Sequence, residues 1–174
     1  MRDLDEEYTA CVRDLLPRLR RLGYLLSGDW YRADDLVQTT IEKMYDKWRR
    51  VRRADNVDAY ARTILVRVFL SEQRSGWRSR VSVTADPPDA VLAGPDPDTA
   101  LDVRRALATV PPRQRAVLVL RFFADLSIEQ TAELLGCSPG TVKSQTAHGL
   151  SALRRALGDQ DVAAAPSRRE QRDG

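Results

Sequence analysis

The side chains in this sequence that could do covalent or metal chemistry are few and poorly placed for it. Asp34 and Asp35 form an adjacent carboxylate pair, but neighbours on a helix point in different directions, and no His or third acid stands at ligand spacing. Cys11 and Cys137 are too few and too far apart for a disulfide framework or a zinc site, so Cys137 reads as a small filler and the pair fits a reducing cytoplasm. His148 is the only histidine in the chain, which makes it a polar contact to backbone or base rather than a metal ligand. No bond chemistry and no cofactor are expected from these residues.

A different chemistry, hydrogen bonding to a nucleic acid, is legible between Leu126 and Arg155. Ser127 with Gln130 three residues on has capping-box spacing, and Ile128, Ala132 and Leu135 then share one helical face. Gly136 supplies the positive φ that ends that helix, and Ser138-Pro139 supplies a fresh N-cap with proline at the first helical position. Ala132 is small where two helices cross, and Val142, Leu150 and Leu153 turn inward. Thr141, Lys143, Ser144, Gln145, Thr146 and His148 are left outside the apolar stripe. A helix-turn-helix with such a face can read base edges in the major groove.

The elements that must position this face are helical throughout. Leu4, Tyr8, Cys11, Val12, Leu15, Leu16, Leu19 and Leu22 recur at three- and four-residue steps, predicting a first helix that ends near Gly23 to Gly28, with Pro17 bending or dividing it. Asp29 can cap a second helix with Leu36, Val37, Ile41, Met44, Tyr45, Trp48 and Val51 inward, and Asp34, Asp35, Gln38 and Glu42 on its polar side. Asp55 or Asn56 caps a third, whose inner face is Val57, Tyr60, Ala61, Ile64, Leu65, Val68 and Phe69. Arg62, Arg67, Arg74, Trp77, Arg78 and Arg80 lie on its exposed side and beyond. Trp77 either stacks on an unpaired base or packs at the domain edge.

Ser82 to Asp98 has four prolines and four aspartates and no sustained helical pattern, so it reads as a linker, either a passive tether or a phosphate mimic. Helical spacing resumes through Leu101, Leu107 and Val110. After Pro111-Pro112 it continues with Ala116, Val117, Leu120, Phe123 and Leu126 as an apolar face behind the helix-turn-helix. The expected fold is therefore all-α: two small helical domains at 4–80 and 99–158, joined by a flexible acidic linker at 81–98 and followed by a disordered tail at 159–174.

Charge supports that division. Across 174 residues the net charge is only +3, yet 43–80 holds eleven bases against four acids, whereas 85–103 holds five acids and no base. The basic block is an electrostatic footprint for phosphate. The acidic start of the chain does not resemble a signal peptide, and no apolar run approaches a membrane span, so a soluble cytoplasmic protein without membrane contact is expected.

Taken in order, the motifs resemble the extracytoplasmic-function group of bacterial RNA polymerase sigma factors, in an actinobacterial branch. ADDLVQTTIEKMYDKW (33–48) is similar to their polymerase-binding helix, DAYARTILVRVFLSEQRSGWRSR (58–80) to their promoter-melting helix, and 112–155 to their C-terminal promoter-binding region. The resemblance implies that Asp35, Leu36, Val37 and Gln38 dock on the clamp helices of the polymerase largest subunit, with the polymerase flap as a second contact. It places Arg62, Arg67, Arg74 and Trp77 at the downstream (−10) element, captured as unpaired non-template strand. Thr141, Lys143, Ser144, Gln145 and His148 fall on the helix that reads the upstream (−35) element as duplex. It further implies an anti-sigma partner. Two positions depart from the group's pattern: Thr39 stands where many relatives carry an acid, and Arg67 where many carry Asn. The competing reading is a conventional dimeric helix-turn-helix regulator, which would bind a palindrome and need no polymerase.

Overall fold

The computed structural model describes residues 2–75 and 97–164. Trp77, Arg78, Arg80 and nearly all of the expected linker lie outside the described residues, as does the end of the expected tail. Among the described residues there is no strand. The helices are α1 (Arg2–Ser27), α2 (Trp30–Tyr45), α3 (Trp48–Val51), α4 (Val57–Arg74), α5 (Pro97–Thr109), α6 (Pro112–Leu118), α7 (Ile128–Leu135) and α8 (Pro139–Ala164). Between α6 and α7 the chain makes one π-helical turn, Val119–Phe123.

The first unit is α1, α2 and α4 packed on one another, with Leu15, Leu19, Leu26, Leu36, Met44, Leu65 and Phe69 buried between them. Local chemistry sets the helix ends. Gly28 adopts φ +76° after α1, the Asp29 carboxylate accepts from Tyr31 N at 3.1 Å, and Asn56 Oδ1 accepts from Ala59 N at 2.9 Å to start α4. Pro17 sits inside α1 without dividing it. The α1–α2 crossing is close because residue 23 has no side chain. A Cβ there would stand 3.3 Å from the Ala33 backbone.

Two positions on the expected apolar stripes are not inside this unit: Leu16, 36% exposed on α1, and Tyr45. Tyr45 is 52% exposed, with its hydroxyl donating to Asp5 Oδ1 at 3.0 Å and its ring against Tyr8. It lies at the rim of the apolar stripe, beside the fully buried Met44, at the point where α2 ends. Trp48, on α3, is buried instead, edge-on to Tyr8 at 5.1 Å.

The second unit is α5, α6 and α7 against α8. Ala106, Leu107, Val110, Ala116, Leu118, Leu120 and Val142 fill it. Phe123, expected on the inward face, is 52% exposed, as is Phe122. The π turn adds a residue to the helical cycle, so side chains after Leu120 rotate away from the stripe that Ala116, Val117 and Leu120 establish. Helix α8 continues to Ala164, past Leu157 and into the segment read as a tail.

The two units share one apolar core in which Leu26, Leu36 and Phe69 of the first join Leu107, Val110, Leu118 and Leu120 of the second. At their junction Arg115 is buried, and its guanidinium makes four hydrogen bonds, all to main-chain carbonyls. Burial, and then the Arg32 cation nearby, lower its pKa to about 10, which leaves it charged at neutral pH.

Glycines in α8 provide an internal comparison. A Cβ at Gly149 would lie 3.0 Å from Leu118 Cγ, whereas one at Gly158 would meet nothing within 4 Å. Gly158→Ala should therefore stabilise the fold by about 0.5–1 kcal/mol through helix propensity. Gly149→Ala should lose that gain to overpacking, with a net cost of about 1 kcal/mol. Urea unfolding of the two variants beside the parent chain checks both signs.

Candidate nucleic-acid interface

The helix-turn-helix is built by reciprocal caps and a very small core. Ser127 Oγ accepts from Gln130 N at 3.0 Å and Gln130 Oε1 accepts from Ser127 N at 2.8 Å, a complete capping box. Such a cap contributes about 1 kcal/mol. Gly136 closes α7 in the left-handed region at φ 64°, ψ 40°, and its N–H and that of Cys137 both reach the Ala132 carbonyl. Ser138 Oγ then accepts from Thr141 N at 3.1 Å to begin α8. Val142 is fully buried against Ala132 and Val117, with Cys137 partly buried beside them. Cys137, expected to be buried, is only partly so.

With Val142 held inward, Lys143, Ser144 and His148 are exposed on α8, and Gln145 is partly so. The face differs from the expectation at two hydroxyls. Thr141 Oγ1 is 2.9 Å from Ser138 Oγ, so this side chain is part of the cap, and Thr146 donates to Val142 O at 2.7 Å. Lys143, Ser144, Gln145 and His148 remain to meet a ligand. No acid occurs between Pro139 and Leu157, and Arg154 and Arg155 are exposed further along. The start of α8 is therefore electropositive, through Lys143 and the positive end of the helix dipole.

On α4, Arg67 and Arg74 are exposed and seven residues apart, two turns along one face. Arg62 is placed differently. It is partly buried and bonded to Asp58 at 2.5 Å, and Asp58 also pairs with Arg18 at 3.2 Å. Arg62 and Arg18 share the one Asp58 carboxylate, so the cluster keeps a net positive charge.

On α2 the four residues assigned to docking split by helical geometry. Leu36 and Val37 are core residues, so they support this surface and do not form it; Asp35 and Gln38 are exposed. Gln38 Nε2 donates to Glu42 Oε1 at 2.9 Å, continuing the polar ridge by a turn. Asp34, the other half of the carboxylate pair, is taken by Arg20 in a two-point contact at 2.6 and 3.1 Å. Arg20 also lies over Trp30, which stacks on Tyr24 at 4.2 Å. The pair is thus one structural acid and one presented acid. Among the described residues no group of three His, Cys, Asp or Glu side chains could hold a metal ion. No described helix is long and apolar enough to cross a membrane.

Residues 11–79 match the family described as sigma-70 region 2, and residues 100–153 match sigma-70, region 4. The RNA polymerase sigma-E factor of Streptomyces coelicolor is 34% identical over 97% of this chain and 94% of its own. The ECF RNA polymerase sigma factor EcfG of Rhodopseudomonas palustris is 31% identical over 82% of this chain and 80% of its own. Among solved structures, the sigma factor RpoE in complex with the anti-sigma factor NepR from Bartonella quintana superposes with a TM-score of 0.69 at 27% identity, covering 91% of this chain and 98% of that one. The chain belongs to the sigma-70 family of RNA polymerase sigma factors, in its extracytoplasmic-function group.

Gly136 tests the construction of the recognition helix. Gly136→Val forces a β-branched residue into the left-handed region and should cost roughly 1–2 kcal/mol, whereas Gly136→Asn should be tolerated. Thermal unfolding of the two variants, with duplex binding measured below the transition, should rank Asn close to the parent and Val well below it.

Proposed function

We propose that the chain works as a promoter-specificity subunit: it docks on core RNA polymerase through α2, reads the upstream element with α8, and holds the melted downstream element against α4. The observation that supports this reading is that an exposed polar helix face and an exposed basic helix face lie on two helical units of one chain in this family. One is a helix face suited to duplex grooves, and the other a basic helix suited to a strand backbone.

Asp35 and Gln38 form the contact to the clamp helices of the polymerase, oriented by Leu36 and Val37 beneath them; the flap is met by the second unit. Lys143 and Ser144 meet phosphate or base edges, and Gln145 and His148 supply directional hydrogen bonds. Arg67 and Arg74 follow the non-template strand, with Trp77 stacking on an unpaired base and Arg62 ordering the helix start through Asp58. Capture of unpaired bases shifts the closed-to-open equilibrium of the duplex, and the polymerase performs the chemistry. The protein catalyses no bond change itself. An anti-sigma protein is the natural antagonist, as with the NepR-bound relative.

Binding to core polymerase and to an upstream-element duplex, measured separately, distinguishes the surfaces. Gln145→Ala or Lys143→Ala should weaken duplex binding about tenfold or more while leaving polymerase association intact. Asp35→Lys should do the reverse. Loss of polymerase association in a folded Gln145→Ala protein would remove the assignment of α8. A stable dimer that binds palindromes and ignores polymerase would support the conventional regulator.

A further inference from the structure

We propose that Arg115 is a releasable clasp that holds the two helical units closed in the free protein. The proposal rests on the functional reading above, because that reading requires the units to separate. Promoter elements centred near −35 and −10 are about 25 base pairs apart, which at ~3.4 Å per pair is on the order of 80 Å of duplex. A packed unit of this size has a radius of gyration of roughly 11 Å. Two such units sharing one core cannot place α4 and α8 on both elements at once.

The bonding of Arg115 fits a contact that opens. Nη1 donates across the junction to Leu26 O at 2.6 Å, close to the C-terminal end of α1. The other three bonds stay within the second unit: Nε to Val110 O at 3.2 Å, and Nη2 to Ala108 O at 2.8 Å and to Val110 O at 2.9 Å. Separation therefore breaks one hydrogen bond and hydrates one carbonyl, while the guanidinium keeps its own-unit partners. A carboxylate partner across the junction would instead leave an unpaired charge on each side, a far larger barrier.

Two further features mark the same seam. Gly28, at φ +76°, is so close to α5 that a Cβ on it would lie 3.1 Å from Ala108 Cβ. Arg32 of the first unit faces Arg115 closely enough to oppose its charge and is paired with Glu72 at 3.2 Å. The seam thus combines apolar burial, one directional bond and a like-charge opposition held in check by Glu72. Closure is favourable, and a partner that binds the separated units better can reverse it.

The test uses the full chain with Cys11 and Cys137 changed to Ser and spin labels on cysteines introduced at exposed Asp46 and Arg154, one on each unit. Arg115→Ala removes the clasp. Ala108→Trp wedges the seam from an exposed position, so its effect does not depend on rebuilding either core, and Arg115→Lys retains the charge without the fork. The parent should give one short, narrow distance distribution. The Ala and Trp variants should lengthen and broaden it, and Lys should fall between. The opened variants should also form promoter complexes with core polymerase on the order of tenfold faster, because they no longer wait on a minor open population. A parent distribution as long as that of the wedge variant would overturn the clasp, as would Arg115→Ala and Ala108→Trp variants that stay short. Longer distances with unchanged rates of complex formation would overturn its control of assembly. Should neither parent nor variants engage polymerase, the functional reading fails, while the distances in the chain alone still decide whether Arg115 holds the units together.

Discussion

Satisfaction of the buried Arg115 guanidinium by main-chain carbonyls is the constraint around which this molecule is arranged. Four hydrogen bonds to Leu26, Ala108 and Val110 let a cation sit where apolar surfaces of α1, α5 and α6 meet. Without those acceptors the site would carry the desolvation cost of an unpaired ion, several kcal/mol, and the shared core could not form around it. The acceptors exist because α1 and α5 both end there, leaving carbonyls that no next turn of helix claims. Helix termination, ordinarily a liability, thus becomes the binding site of the residue that joins the two units.

The working surfaces are what remains after each helix has met its packing requirement. On α2, burial of Leu36 and Val37 forces Asp35 and Gln38 outward; on α8, burial of Val142 does the same for Lys143, Ser144 and Gln145. A residue can hold a surface without belonging to it. Ser127, Gln130, Gly136 and Ser138 spend their hydrogen-bonding groups or backbone freedom on the entry and exit of α7 and α8, and so fix the angle at which the recognition face is presented. The faces left over by packing are those of α2 and α4 on the first unit and of α8 on the second.

The fold class and the helix-turn-helix were legible in the sequence because local rules govern them. Capping-box spacing, a glycine at the left-handed position and Ser-Pro at a helix start each act within four residues, and each is realised where the spacing placed it. The misses are of another kind. Phe123 is turned outward by a π turn, a change of helical cycle that no apolar periodicity announces, and Tyr45 is exposed because the stripe's rim coincides with a helix end. Asp34 and Asp35 look alike in sequence but are separated by Arg20, which lies on another helix. Arg115 was invisible for the same reason: a cation before the apolar run Ala116 to Leu120 hints at burial, but its partner Leu26 lies eighty-nine positions away. Local signals reveal elements and faces, while contacts between distant segments decide which of the exposed residues are still available.

The most direct measurement of the account's central claim is run-off transcription by purified bacterial core polymerase, with and without this protein, on a library of randomised promoters. It requires docking, recognition and melting together. The account predicts transcripts that depend on the protein and whose templates share two sequence elements at a fixed spacing. An absence of protein-dependent transcripts, with core binding also absent and binding to palindromic duplexes intact, would contradict it.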